Sequence, residues 1–114
     1  MTEKGCLFCR IARGELPSSK AYEDDQILVF HDINPAAPVH LLVIPKVHVD
    51  SLVTVGPEHE ALLGKLLTLA PQLAKEHGCD NGFRVVINNG PDGGQEVNHL
   101  HIHILGGPRP WKRL

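Results

Sequence analysis

The chain has 114 residues, enough for one domain with a modest core. Apolar residues make up 42% and charged residues 21%, an ordinary globular balance. A formal net charge of -2 and a pI near 6.4 provide no global basic field, so nucleic acid is not an expected partner.

Read in chain order, the opening MTEKGCLFCR lacks the apolar core of a signal peptide. No apolar run approaches the roughly 18 residues of a membrane span, so a cytoplasmic protein without a membrane partner is expected. Residues 4–13 read as a short helix, ended by Gly14 with Pro17 beyond it. Within it Cys6 and Cys9 form a C-x-x-C, a spacing favoured by metal, and three cysteines do not make a disulfide framework. KAYEDDQILVFHDI reads as two short strands around an acidic turn at Asp24 and Asp25. NPAAP (34–38) breaks the chain before VHLLVIP, an almost continuous apolar run expected at the centre of a sheet.

The main helix is expected over 58–77, opened by Gly56-Pro57 and capped by Gly78. Leu62, Leu66, Leu69, Ala70 and Leu73 give it a buried stripe, and Pro71 should bend or divide it. GFRVVINN and HLHIHIL follow as strands joined by the glycine-rich GPDGGQ. The fold class expected is α+β, an antiparallel sheet of about five strands with one long and one short helix packed on one face, forming a single domain over 1–114.

Three of the eight histidines fall within five residues, at alternate positions 99, 101 and 103. On a strand they share one face, opposite a core-facing Leu100, Ile102 and Ile104. Alternation this regular argues against a polar outer face that merely happens to use histidine. Three same-face residues span about 13 Å, too far for one ion, so the rings should have separate roles. Neutral imidazole is a nucleophile near pH 7 suited to phosphorus centres. The DGGQ loop can offer backbone N–H groups to a phosphate, with amide donors from Gln95 and Asn88.

His99-Leu-His101-Ile-His103-Ile-Leu is the H-φ-H-φ-H-φ-φ signature of the histidine triad superfamily. YEDDQILVFHDINPAAPVHLLVIPKVHV and FRVVINNGPDGGQEVNHLHIHILGG resemble its Hint branch, so the likeness spans nearly the whole chain. The resemblance implies a homodimeric purine nucleoside phosphoramidase. Such an enzyme cleaves the P–N bond of AMP or GMP derivatives, such as adenosine 5′-phosphoramidate or AMP-lysine, and uses no organic cofactor. The family's nucleophile matches His101, which would carry a nucleotidyl-histidine intermediate. The His99 carbonyl would orient its ring, His103 would contact a phosphate oxygen and protonate the amine, and His40 matches the fourth histidine of the network. His40 also reads simply as the start of a central strand.

By the same likeness Asn88, Gly94 and Gln95 match positions around the α-phosphate. Glu96 stands where a hydroxyl residue is frequent, and a carboxylate there would favour a cationic amine. Asp32 matches the carboxylate that holds the ribose hydroxyls. Phe8, Ile11, Phe30, His31 and Ile33 match the pocket around the base, although Phe8 and Ile11 read equally as core. Two other activities stay open. One is nucleotide-binding regulation. The other is hydrolysis of dinucleoside polyphosphates, whose enzymes carry insertions not visible here. A C-terminal tail in Hint relatives reaches the partner's active site, so Trp111 is expected either there or on its own subunit.

The C-x-x-C thiolates could hold one zinc, with two histidines completing a closed tetrahedron. Superfamily members with this knuckle complete a structural zinc with the histidine of IPKxH and the first triad histidine. The implied ligands are Cys6, Cys9, His48 and His99. Two free cysteines beside a surface His48, a reversible disulfide, and a zinc-dependent interaction module are the other readings; Cys79 is assigned no role.

Overall fold

The computed structural model describes residues 5–112. A short helix α1 (Leu7–Ala12) precedes strands β1 (Lys20–Glu23), β2 (Ile27–His31) and β3 (Val39–Pro45). Two single 3₁₀ turns lead into the long helix α2 (Glu60–Glu76), followed by β4 (Phe83–Val86) and β5 (Ile102–Gly106). The strands form one antiparallel sheet in the order β1-β2-β3-β5-β4. The expected five strands and two helices are all present. No helix among the described residues is long and apolar enough to cross a membrane.

The sheet is buried on both sides at its centre, and that decides where the helices go. Ile27, Val29, Leu41, Val43, Ile102 and Ile104 point to one face and pack with Leu66, Ala70, Leu73 and Ala74 of α2. Leu28, Phe30, Leu42 and Ile44 point to the other and pack with Phe8, Cys9 and Ile11 of α1. The expectation of helices on one face therefore fails: β2 and β3 are apolar at odd and even positions alike, and each face needs a cover.

Pro57 opens the turn before α2, and Gly78 ends the helix with φ +84°. Pro71 does not divide α2. It sits on the exposed side of the helix, where the group that loses its hydrogen bond does not have to be buried. Of the stripe, Leu66, Ala70 and Leu73 are buried, while Leu62 and Leu69 pack at the margin of the core.

The triad departs from the strand pattern. β5 begins only at Ile102, so His99 and His101 lie on the segment that leads into it. That segment is tied down by Leu100 N–H donating to the Val49 carbonyl, at 2.6 Å. All three imidazoles are nearly inaccessible (0%, 5% and 8% exposed), as is His40. A buried ring must have its nitrogens satisfied, and that requirement shapes the site.

Candidate functional site

The tautomer of each buried histidine follows from partners that can only donate or only accept. The His99 carbonyl accepts a hydrogen bond from His101 Nδ1–H, at 2.7 Å. The proton is therefore on Nδ1, and the lone pair of His101 is on Nε2. The Phe8 ring meets His101 edge-on, centroids 5.1 Å apart, and stands equally against Phe30 at 5.5 Å.

His40 and His103 are fixed in sequence by one backbone group. Ala36 N–H donates to His40 Nδ1 at 3.0 Å, so the His40 proton is on Nε2. His40 Nε2–H then donates to His103 Nδ1 at 2.9 Å, which leaves the His103 proton on Nε2. That last N–H is buried without a partner among the described residues. Asp32 Oδ2 lies 3.5 Å from His40 Nε2, while Asp32 Oδ1 accepts from Asn34 N–H at 2.8 Å. Burial, with His101 and His40 adding to it, pushes the His103 pKa down to about 4. Burial likewise lowers that of His40, against the pull of Asp32. Both rings are neutral at pH 7. The His101 and His103 ring centroids are 5.0 Å apart, so the ring with the bare nitrogen and the ring with the unpartnered N–H are neighbours.

Both rings line a cleft of ≈ 390 Å³ together with Asp32, Ala36, His40, Asn88, Gly94 and Glu96; Asn34 and Lys112 also line it. The loop over 90–94 turns through Gly90 (φ +72°) and Gly94 (φ +79°), and a side chain at Gly93 would collide with the Asn89 backbone. Gln95 locks this loop. Its Nε2 donates to the Asp50 and Val97 carbonyls at 2.7 and 2.9 Å, and its Oε1 accepts from Gly90 N–H at 2.8 Å. The carboxamide proposed as a phosphate donor is thus already spent on the loop, and Gln95 is not among the residues lining the cleft.

The other site residues are placed unevenly. Phe8, Ile11 and Phe30 are core residues beneath the sheet face. His31 is half-buried, edge-on to His77 at 5.5 Å, and Ile33 is fully exposed. Trp111 packs on its own chain: its Nε1–H donates to the Gly107 carbonyl at 3.0 Å, and its side chain packs against the cluster of Ala36, Ala37 and Leu105. The participation of Ala36 is missed from sequence, because NPAAP reads only as a break. Its distance of four residues from His40 is the available signal.

On the other flank of the triad, Cys6, Cys9, His48 and His99 bring four ligand atoms within 4.8 Å of one another. His99 Nδ1 lies 3.3 Å from Cys6 Sγ and 3.5 Å from Cys9 Sγ, and His48 Nδ1 lies 3.2 Å from Cys9 Sγ. His99 Nε2–H donates to the Pro45 carbonyl at 2.8 Å and His48 Nε2–H to Asp50 Oδ1 at 2.7 Å. Both Nδ1 lone pairs therefore point at the thiols. Burial pushes His99 down to about 4 and keeps it neutral. A tetrahedral ion with Zn–S and Zn–N bonds of about 2.0–2.3 Å would have ligand-to-ligand edges of roughly 3.3–3.8 Å, close to these spacings. The outer carboxylate and carbonyl are the partners that metal-binding histidines use. Asp50, two residues beyond His48, is that carboxylate, and its spacing is the signal the sequence offers for it.

The fold and these two clusters define a class of protein, and comparison with known proteins places it. The HIT domain family model matches residues 13–109. "Protein HitA" of Neisseria gonorrhoeae is 56% identical over 90% of this chain and 96% of its own. A "14 kDa zinc-binding protein" of Zea mays is 48% identical over 89% of this chain and 80% of its own. The crystal structure of a "HIT family hydrolase" from Legionella pneumophila superposes with a TM-score of 0.89 at 47% identity, covering 91% of this chain and 94% of its own. The chain belongs to the HIT family.

The depressed histidines set the acid behaviour of the fold. In the unfolded chain His40 and His103 take up protons near their ordinary value of 6.5, whereas folded His103 resists until about pH 4. The unfolded state then binds more protons, so stability falls as pH drops through that window. Urea midpoints compared at about pH 7 and about pH 5 should decline less for His103→Gln than for wild type. An equal decline in both would contradict this assignment.

Proposed function

We propose that the protein is a hydrolase of purine nucleoside phosphoramidates, of the Hint branch, acting through a nucleotidyl-histidine intermediate. One observation carries the reading: the bare Nε2 of His101 and the unpartnered Nε2–H of His103 face one cleft, each tautomer set by a backbone group. His101 Nε2 attacks the α-phosphorus, and the P–N bond breaks. His103 Nε2–H donates a hydrogen bond to a phosphoryl oxygen as charge builds there, and the departing amine takes its proton from solvent in the cleft. Water then hydrolyses the phosphorus–nitrogen bond to His101, returns a proton to solvent, and releases the nucleoside monophosphate.

The cleft residues suit such a substrate. Asp32 provides acceptors for ribose hydroxyls, and Asn88 with the Gly94 backbone provides donors for the phosphate. Among the described residues, Lys112 is the one Lys or Arg that lines the cleft, set against Asp32 and Glu96. That balance favours a phosphoramidate with a cationic amine over a dinucleoside polyphosphate, whose extra charges would meet two carboxylates. The name of the Legionella neighbour, a hydrolase, agrees with this reading. His101→Ala should abolish turnover of adenosine 5′-phosphoramidate and leave AMP binding largely intact, while His103→Ala should slow it by about 10²–10³-fold. Turnover by His101→Ala at near the wild-type rate would refute the mechanism.

Cys6, Cys9, His48 and His99 would hold a structural zinc. The ion would supply a closed crosslink between α1 and the triad segment, with no open position for chemistry. The four donors, their outer partners and the name of the maize relative support this. Exposed Phe83 and Val85 on the edge strand β4, with exposed Leu67 on α2, support a homodimer through that edge and helix. One preparation made without chelator tests both: about one zinc per chain by elemental analysis, retained in His101→Ala and lowered in His48→Ala, and a dimer in sedimentation. Zinc that survives loss of both Cys6 and Cys9, or a monomer alone at micromolar concentration, would overturn the respective claim.

A further inference from the structure

His99 belongs to both clusters at once. Its side chain faces the two thiols through Nδ1 and anchors on Pro45 through Nε2. Its main-chain carbonyl holds the Nδ1–H of His101. The two groups are on one residue of a segment that lies outside the sheet ladder, so displacement of the ring moves the carbonyl. Leu100 N–H, the next group along, is held by the Val49 carbonyl, and Val49 follows His48. Both histidines of the thiol cluster are therefore joined to the segment that aims the nucleophile.

We propose that Cys6 and Cys9 form an oxidation-sensitive dithiol whose disulfide misaligns His101 and switches the hydrolase off. The proposal rests on the nucleotidyl-histidine reading given above. Cys6 is the N-cap of α1, and its Sγ accepts from Cys9 N–H at 3.3 Å, which keeps the two sulfurs at the first turn of the helix. Neither cysteine is in a disulfide. The oxidant is a hydroperoxide. One thiolate attacks its O–O bond to give a sulfenic acid and release hydroxide (or the corresponding alkoxide). The second thiolate attacks that sulfur, the S–S bond forms and a second hydroxide leaves. Two electrons pass from the sulfurs to the peroxide. The disulfide removes the two thiolates that His99 and His48 face, and two histidines alone do not complete a closed tetrahedral site.

Cys79 provides an internal control. It lies on the opposite face of the sheet, in the core beneath α2, and takes no part in the cluster around His99. Its replacement therefore leaves the pair beside His99 in place.

The test treats zinc-loaded full-length protein with hydrogen peroxide and follows three signals. Peptide mass analysis should find two hydrogens lost between Cys6 and Cys9, and a chromogenic chelator should report zinc released in step. In protein with ¹⁵N-labelled imidazoles, the hydrogen-bonded His101 Nδ1–H resonance should shift or vanish, then return with a dithiol reductant and zinc. Adenosine 5′-phosphoramidate turnover should fall at least about tenfold with AMP affinity little changed, the split expected when the nucleophile alone is misplaced. Cys79→Ser should respond like wild type. A complete Cys6–Cys9 disulfide with an unchanged His101 resonance would overturn the coupling. Failure of the disulfide to form, or a response that disappears in Cys79→Ser, would overturn the assigned dithiol. Absence of turnover in untreated protein would instead count against the hydrolase reading, and the mass and resonance signals would still judge the switch.

Discussion

A neutral imidazole has one donor and one acceptor, and this protein buries four of them against a single face of its sheet. Each ring nitrogen removed from water must find a partner or carry a cost of roughly 1–3 kcal/mol. The chain meets that demand mainly with backbone groups: the His99 carbonyl for His101, the Ala36 N–H for His40, and the Pro45 carbonyl for His99. Because a carbonyl only accepts and an N–H only donates, these contacts also decide where every proton sits. The tautomers, and with them the chemistry open to each ring, follow from the course of the main chain. The His103 Nε2–H is left over, at the cleft, where a ligand can satisfy it.

The fold supplies this arrangement by placing β3 and β5 side by side. In their register His40 lies opposite Leu105, and Leu42 lies opposite His103. His40 and His103 are thus diagonal neighbours on one face, close enough to hydrogen-bond. The other face of the same strands is Leu41, Val43, Ile102 and Ile104, held rigidly by α2. Ahead of β5 the ladder stops, and the chain is steered by individual contacts: the Gln95 clamp, the Leu100–Val49 bond, and the thiols around His99. The nucleophile sits at this junction between a rigid strand and a segment that depends on its neighbours.

Much of this was legible in the sequence. The two-faced apolar runs of β2 and β3, the stripe of α2 and the alternation of the triad all report periodicity, which is local. The C-x-x-C with His48 and His99 was legible through resemblance, and the four residues do meet. What escaped depends on backbone groups. Ala36 enters the relay through its N–H, which no side-chain pattern reveals. Gln95 was read as a donor to ligand, yet all its polar atoms are taken by Gly90, Asp50 and Val97. The cover of both sheet faces was implicit in β2 and β3 and was missed because α1 is short, with only a buried Phe8, Cys9 and Ile11 to lay on the second face.

The central claim is that His101 Nε2 becomes covalently attached to phosphorus. Rapid quench of the protein with adenosine 5′-phosphoramidate, under conditions that preserve phosphorus–nitrogen bonds, followed by peptide mass analysis, tests it directly. The account predicts an adenylyl adduct on His101 that forms and decays within a turnover and is missing from His101→Ala. Turnover with no adduct at any quench time, or an adduct found on His99 or His103 instead, would contradict it.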